Sequence, residues 1–147
     1  RDVYGHGVSS SGSYAIVGAA GDDEGAGLTN NGTATIFKRN ETTGVWESQG
    51  KLINASPASN DQFGNSVAIA GDFAMVASFL DDGTGTATVY RRYGNIWRTV
   101  QKITNPQAQA GDFFGVSCSI DASTRRFLVG STGVQGGMGM VFFGKVK

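Results

Sequence analysis

The residues best suited to chemistry are two acidic clusters, Asp22-Asp23-Glu24 and Asp81-Asp82. Neighbouring carboxylates among glycines are the donors a calcium ion takes. Calcium wants about six to eight oxygens, and two or three adjacent carboxylates supply only part of that shell. Asp22, Asp23, Asp81 and Asp82 are therefore weak metal candidates, a solvated turn is their expected role, and no cofactor is expected. His6 is the single histidine, which excludes a two-histidine metal site and a repeated general base within the chain. A Ser-His-Asp arrangement on His6 would need a nucleophile and an oxyanion hole, and neither has a local signature. Cys118 aligns with Val8 and Val67 in the first run of each unit and reads as a buried small hydrophobe. The glycine-rich Gly130–Gly139 segment lacks the Gly-Lys-Ser/Thr and the following helix of a phosphate loop. No catalytic residue emerges, and the chain reads as a non-enzyme.

These residues sit in a 147-residue chain with 39 % hydrophobic and 16 % charged residues, 23 glycines and two prolines. Its net charge is zero, so bulk electrostatics gives no reason to expect nucleic acid or an anionic membrane as partner. No run approaches the ~20 apolar residues of a membrane-spanning helix. A start on Arg1 rather than Met suggests a piece of a longer chain. Three sequons, at Asn31, Asn40 and Asn54, point toward a secreted glycoprotein.

Internal repeats organise everything else. Asp2-Val3-Tyr4-Gly5, Asp61-Gln62-Phe63-Gly64 and Asp112-Phe113-Phe114-Gly115 align, and each precedes the same series of runs. "YAIVGAA", "FAMVASF" and "FLVGST" come next, followed by "GTATIFKR", "GTATVYRR" and "GMGMVFFGK". Trp46 and Trp97 open a last run in the first two units, each with a lysine five residues on. Four short β-branched and aromatic runs bounded by tight turns predict an antiparallel meander. The expected units are 1–60, 61–111 and 112–147, the last without its fourth strand. Runs that are apolar or small on both faces fit sheets buried on two sides, as in the blades of a β-propeller. In each motif the aromatic should plug the gap between sheets, the glycine permit a sharp entry into the first strand, and the aspartate accept backbone N–H groups.

At these residues the chain resembles the FG-GAP repeat family, which builds the propeller head of integrin α subunits and many bacterial surface proteins. The name's Gly-Ala-Pro half persists as Gly18-Ala19-Ala20, Ala77-Ser78-Phe79 and Gly130-Ser131-Thr132. The resemblance implies an extracellular or cell-surface propeller that binds a protein or glycan and performs no catalysis. Integrin-type calcium sites use an Asp-x-Asp-x-Asp-Gly loop between the first two strands. Here those links are Ser11-Gly12-Ser13, Gly71-Asp72 and Asp121–Arg126, which lack it.

Three units leave a sheet face and strand edges to be covered, either by further units or by other copies of the chain forming a filament, ring or coat. Adhesion through loops Asp22–Asn31 and Leu80–Thr84 is the first expectation, self-assembly the second, and an accessory role beside a catalytic domain the third. Lys38-Arg39, Arg91-Arg92 and Arg125-Arg126 lie at strand ends or turns; the first two pairs occupy equivalent positions and should line one rim, solvated or bound to acidic groups.

Overall fold

A computed structural model describes residues 2–147. Eleven strands form three antiparallel sheets in sequence order. The first holds β1 (Tyr4–Ser11), β2 (Tyr14–Ala19), β3 (Thr33–Arg39) and β4 (Trp46–Leu52). The second holds β5 (Ser66–Ala70), β6 (Phe73–Ser78), β7 (Thr86–Tyr93) and β8 (Ile96–Thr104). β9 (Ser117–Asp121), β10 (Arg126–Ser131) and β11 (Met140–Lys145) make the third. Among the described residues helical structure is confined to a 3-10 turn at Asp81–Gly83 and a single turn, α1 (Val134–Gly137).

Because each sheet is an up-and-down meander, its connections fall at two ends. The β1–β2, β3–β4, β5–β6, β7–β8 and β9–β10 turns lie at one end, the hairpin end. The longer connections, including those between sheets, lie at the other, the loop end.

The sheets stack face to face. Ile16, Ala34 and Ile36 of the first sheet pack against Val67, Ile69, Val76 and Tyr90 of the second. The opposite face of the second sheet, with Met75, Ala87 and Val89, packs against Ile120, Phe127 and Val129 of the third. Alternate residues of β6 and β7 thus enter different interfaces, and every residue of β6 is buried.

One aromatic ring closes each interface. Phe63 belongs to the first cluster at 1 % exposure and Phe114 to the second at 0 %. Their backbones are tied to the preceding sheet's loop: Phe63 N–H donates to the Asn31 carbonyl (2.9 Å), and Phe114 N–H to that of Thr84 (3.0 Å). The approach is close because glycines precede β3 and β7. Gly32 and Gly85 adopt φ of +79° and +95°, and a Cβ there would lie 2.1 Å from the Phe63 carbonyl oxygen and 1.9 Å from that of Phe114. Only glycine supplies both the backbone conformation and the space.

A bulge recurs in the fourth strand. Ile36 pairs Gly50 while Phe37 pairs Ser48, and Val89 pairs Gln101 while Tyr90 pairs Thr99. The extra residue, Gln49 or Val100, changes the side-chain alternation. Trp46 and Lys51, or Trp97 and Lys102, therefore share one face despite their odd spacing. Trp97 stands opposite Arg92 and meets Tyr14 of the first sheet edge-on, ring centroids 5.9 Å apart.

Tyr4 holds the first unit's equivalent of Phe63 and is 58 % exposed. Phe63→Ala and Phe114→Ala should each cost about 3–5 kcal/mol, and Tyr4→Ala under about 1 kcal/mol. Urea unfolding of the three variants checks this; equal costs would show that the buried rings are not the principal source of interface stability.

Candidate functional site

The loop end gathers the acidic residues. In the first sheet, Asp22 accepts hydrogen bonds from the Thr33 hydroxyl (2.7 Å) and the Lys51 ammonium (2.9 Å). Lys51 also reaches Glu24 at 2.8 Å. The second sheet repeats the device: Asp81 accepts from the Thr86 hydroxyl (2.6 Å) and pairs with Lys102 (3.0 Å), which also reaches Asp82 at 3.2 Å. The bulge makes this possible by turning each lysine toward the face that carries the threonine. Each acidic loop is therefore a clasp: a fourth-strand lysine holds the connection between the second and third strands.

Burial opposes the charge on Asp22, but the bonds from Lys51 and Thr33 outweigh it and hold its carboxyl below the ordinary aspartate range. Lys51 is correspondingly raised, first by Glu24 and then by Asp22. Burial works against the charge on Lys102 too, and Asp81 and Asp82 override it to raise its pKa. Asp22, Asp23, Asp81 and Asp82 thus face a lysine or their own loop; Asp23 accepts the Asn30 N–H at 2.7 Å. Among the described residues no group of three or more His, Cys, Asp or Glu side chains is arranged to hold a metal ion.

Asp61 and Asp112 are buried beside their aromatics. Each turns back on its own loop, accepting the N–H of Ala58 (2.6 Å) or Gln109 (2.8 Å). Their backbone carbonyls receive the Ser78 and Ser131 hydroxyls, both at 2.6 Å. Burial pushes the Asp61 carboxyl upward. Asp2 is exposed, like Tyr4 and Gly5. Gly64 and Gly115 donate to the carbonyls of Ala77 (3.0 Å) and Gly130 (2.8 Å), fastening the first strand's entrance. Trp46 is 43 % exposed, whereas Trp97 lies between sheets.

The sequon asparagines separate by burial. Asn31 is 1 % exposed; its oxygen accepts the Glu24 N–H (2.9 Å), and its amide donates to the Glu24 carbonyl (2.8 Å). Asn54 is 4 % exposed and donates to Asp61. A glycan has no room on either amide in this fold. Asn40, half-buried in the β3–β4 turn, is the sequon asparagine whose side chain reaches the surface.

Asn54 has a counterpart at Asn105, each seven residues before its aspartate and buried, with its oxygen accepting the N–H two residues on. Lys51 and Lys102 are likewise each ten residues before that aspartate. Both partnerships were missed in the sequence, although equal spacing was their signal.

His6 is exposed and its Nδ1 lies 2.8 Å from the Asn65 carbonyl oxygen. Asn65 in turn donates to the Gly115 carbonyl (3.1 Å) and accepts from the Phe79 N–H (3.2 Å), so it links all three sheets. Cys118 is half-buried beside the Ser66 hydroxyl, and burial pushes its thiol up to about 11. Residues 130–139 pass through α1 between two strands and form no phosphate loop.

Residues 46–90, running from β4 into β7, match the family model of the FG-GAP repeat. Over those residues the chain is similar to the FG-GAP repeat. A search of curated proteins gave no match to it. The FG-GAP match takes the last strand of one sheet together with the first three of the next, so it spans the interface that Phe63 closes.

Lys102→Met should cost about 3 kcal/mol, because it strands the 2 %-exposed Asp81 carboxylate. Lys51→Met should cost about 1 kcal/mol, since Asp22 keeps partial hydration. Equal losses on denaturant unfolding would contradict the burial argument.

The pH dependence follows from Asp22. With its folded pKa depressed, its stabilisation is full above about pH 4 and is lost as pH falls through the folded value. Asp61, raised by burial, acts oppositely: its share is present at low pH and fades as pH rises through its folded value. Lys51→Met should flatten the acid limb of the melting-temperature profile, and an unchanged limb would exclude Asp22 as its source. Cys118 should react with a maleimide near neutral pH far more slowly in the folded protein than in urea; equal rates would show that the thiol is not held protonated.

Proposed function

We propose that the protein is a non-enzymatic, extracellular recognition or adhesion module whose three sheets are blades of a β-propeller. The observation that carries this is the sheet-to-sheet packing used twice, with a buried Phe63 or Phe114 at each joint, in a chain with an FG-GAP match across one of those joints. Stacking of this kind builds a rigid body and delivers the inter-strand loops to one end, where a ligand can be met. Loops Asp22–Asn31 and Leu80–Thr84 are the proposed contact surface. Their clasps fix them in place, while Asp23, Ala26 and Asp82 remain exposed. Among the described residues no helix is long and apolar enough to cross a membrane.

A second reading, self-assembly of copies, is favoured by the outer face of the third sheet. Leu128, Val141 and Phe143 are 37, 52 and 79 % exposed. They occupy the strand positions of Ile16, Ala34 and Ile36 in the first sheet and of Met75, Ala87 and Val89 in the second, all at most 1 % exposed. This face is a joint surface awaiting its ring, supplied either by further blades or by another copy's Tyr4.

Beads coated with the protein should attach to surfaces of fibronectin, laminin or collagen. Combined Asp23→Lys, Ala26→Glu and Asp82→Lys substitutions should abolish attachment while the far-ultraviolet circular dichroism stays that of the folded chain, the midpoint falling only by what the lost Asp82–Lys102 and Asp23–Asn30 contacts contribute. Attachment to none of these surfaces, or attachment unaffected by the substitutions, would overturn the loop assignment. Light scattering over a dilution series separates the second reading: growth in mass that Phe143→Glu removes supports assembly, and a constant monomer mass excludes it.

A further inference from the structure

The zero net charge conceals a lengthwise separation. Lys51 and Lys102 are the only cations at the loop end among the described residues. Every other described lysine and arginine lies at the hairpin end, on β3, β7, β8, β10, β11, the β9–β10 turn or the residues after β11. Carboxylates divide the opposite way, with Glu41, Glu47, Asp72 and Asp121 the exceptions.

Those four exceptions already have partners. Asp72 pairs with Arg92, and Glu41 takes Arg39 and the Ser13 hydroxyl. Glu47 accepts the Asn40 amide, and Asp121 the Ser123 and Thr124 hydroxyls of its own turn. Lys38, Arg91, Arg98, Arg125, Arg126 and Lys145 are left without a carboxylate within ion-pair distance among the described residues.

The placement of these cations is periodic. Lys38, Arg91 and Lys145 hold the same strand position in the three sheets, opposite Tyr14, Phe73 and Arg126. Two rungs set like charges directly across from each other, Arg91 beside Arg98 and Arg126 beside Lys145. Such pairs destabilise a sheet, and a bound anion relieves the repulsion. The Arg91 guanidinium is also steadied over the Phe73 and Tyr93 rings, at 5.6 and 5.4 Å.

We propose that the hairpin end is a binding surface for a polyanionic polysaccharide, its carboxylates or sulfates held by the Arg91–Arg98 and Arg126–Lys145 rungs. Arginine forks suit both groups. A polymer with regularly spaced charges matches cations repeated from sheet to sheet. Single-stranded nucleic acid would use open aromatic faces beside the cations. At the Arg91–Arg98 rung Arg91 lies over Phe73 and Tyr93, and Tyr14 is covered by Arg92 and Lys38. Phe143, 79 % exposed beside Lys145, is the open ring, so single-stranded DNA is the competing polymer that the test includes. A lipid surface would first meet the turns at Asn40–Gly44, Gly94–Asn95 and Ala122–Thr124, beyond the charged rungs. The surface is at the opposite end from the loops assigned above and does not depend on that reading.

The test is titration of the full chain with heparin, a sulfated polysaccharide, at low and at physiological ionic strength. Binding should be present and salt-dependent, and Arg91→Gln/Arg98→Gln should weaken it on the order of tenfold or more. Adding Asp23→Asn/Asp82→Asn to that variant restores net neutrality and should not restore binding. Restored binding, or a wild-type chain that does not bind heparin, would overturn the proposal. So would equal, arginine-dependent binding to single-stranded DNA or to phosphatidylserine vesicles, which would reassign the surface to that partner. The far-ultraviolet circular dichroism of Arg91→Gln/Arg98→Gln should match wild type and its unfolding midpoint should be no lower, since the substitutions remove a like-charge pair; a second pair, Arg126→Gln/Lys145→Gln, should weaken binding independently.

Discussion

Everything in this molecule depends on a phenylalanine ring seated between two sheets, with its backbone pressed against the preceding loop. Burying such a ring contributes about 1.5–3 kcal/mol, but its position matters as much. The chain segments around Phe63 and Phe114 go inside the fold, where each N–H and C=O needs a partner. Carbonyls of Asn31, Ala77, Thr84 and Gly130 accept the N–H groups of Phe63, Gly64, Phe114 and Gly115. Because glycine stands at the contact, backbone touches backbone, and the spacing of the sheets is set by atoms that cannot change rotamer.

The polar devices at the loop end follow from the same packing. Once the second and third strands are buried, their connection has to leave the interior through a region where carboxylates are costly. Lysine from the fourth strand offsets that cost for Asp22 and Asp81, and threonine at the start of the third strand takes part of the remaining bonding capacity. Asn54 does similar work for Asp61 one connection later, and Asn105 holds the matching place before Asp112, where it accepts the Gln107 N–H. The loop end is consequently a set of tethered segments, with only the outermost side chains left uncommitted.

The three sheets, their strand order and the repeated aromatic-glycine motif were legible in the sequence because ring, glycine and turn each demand particular residue types at fixed spacing. Partnerships were harder to read. Lys51 meets carboxylates almost thirty residues earlier, and only the bulge brings it to their side. A bulge leaves little trace in sequence beyond an odd interval between Trp46 and Lys51 that repeats at Trp97 and Lys102. Asn31 and Asn54 sit among polar neighbours and so read as surface, yet their partners are backbone and aspartate groups gathered by the fold. Net charge is silent on placement: a sum discards position, and position is what the meander imposes.

That separation has a consequence for how the molecule approaches others. A neutral body with its charges parted along one axis is turned, rather than drawn, by a distant charged surface. Near an anionic layer it would rotate to bring its hairpin turns forward before any contact forms. Screening confines this alignment to a Debye length, about 8 Å at physiological salt, so it acts in the last moments of an encounter. The loops at the far end would then point away from that layer, free to meet something else.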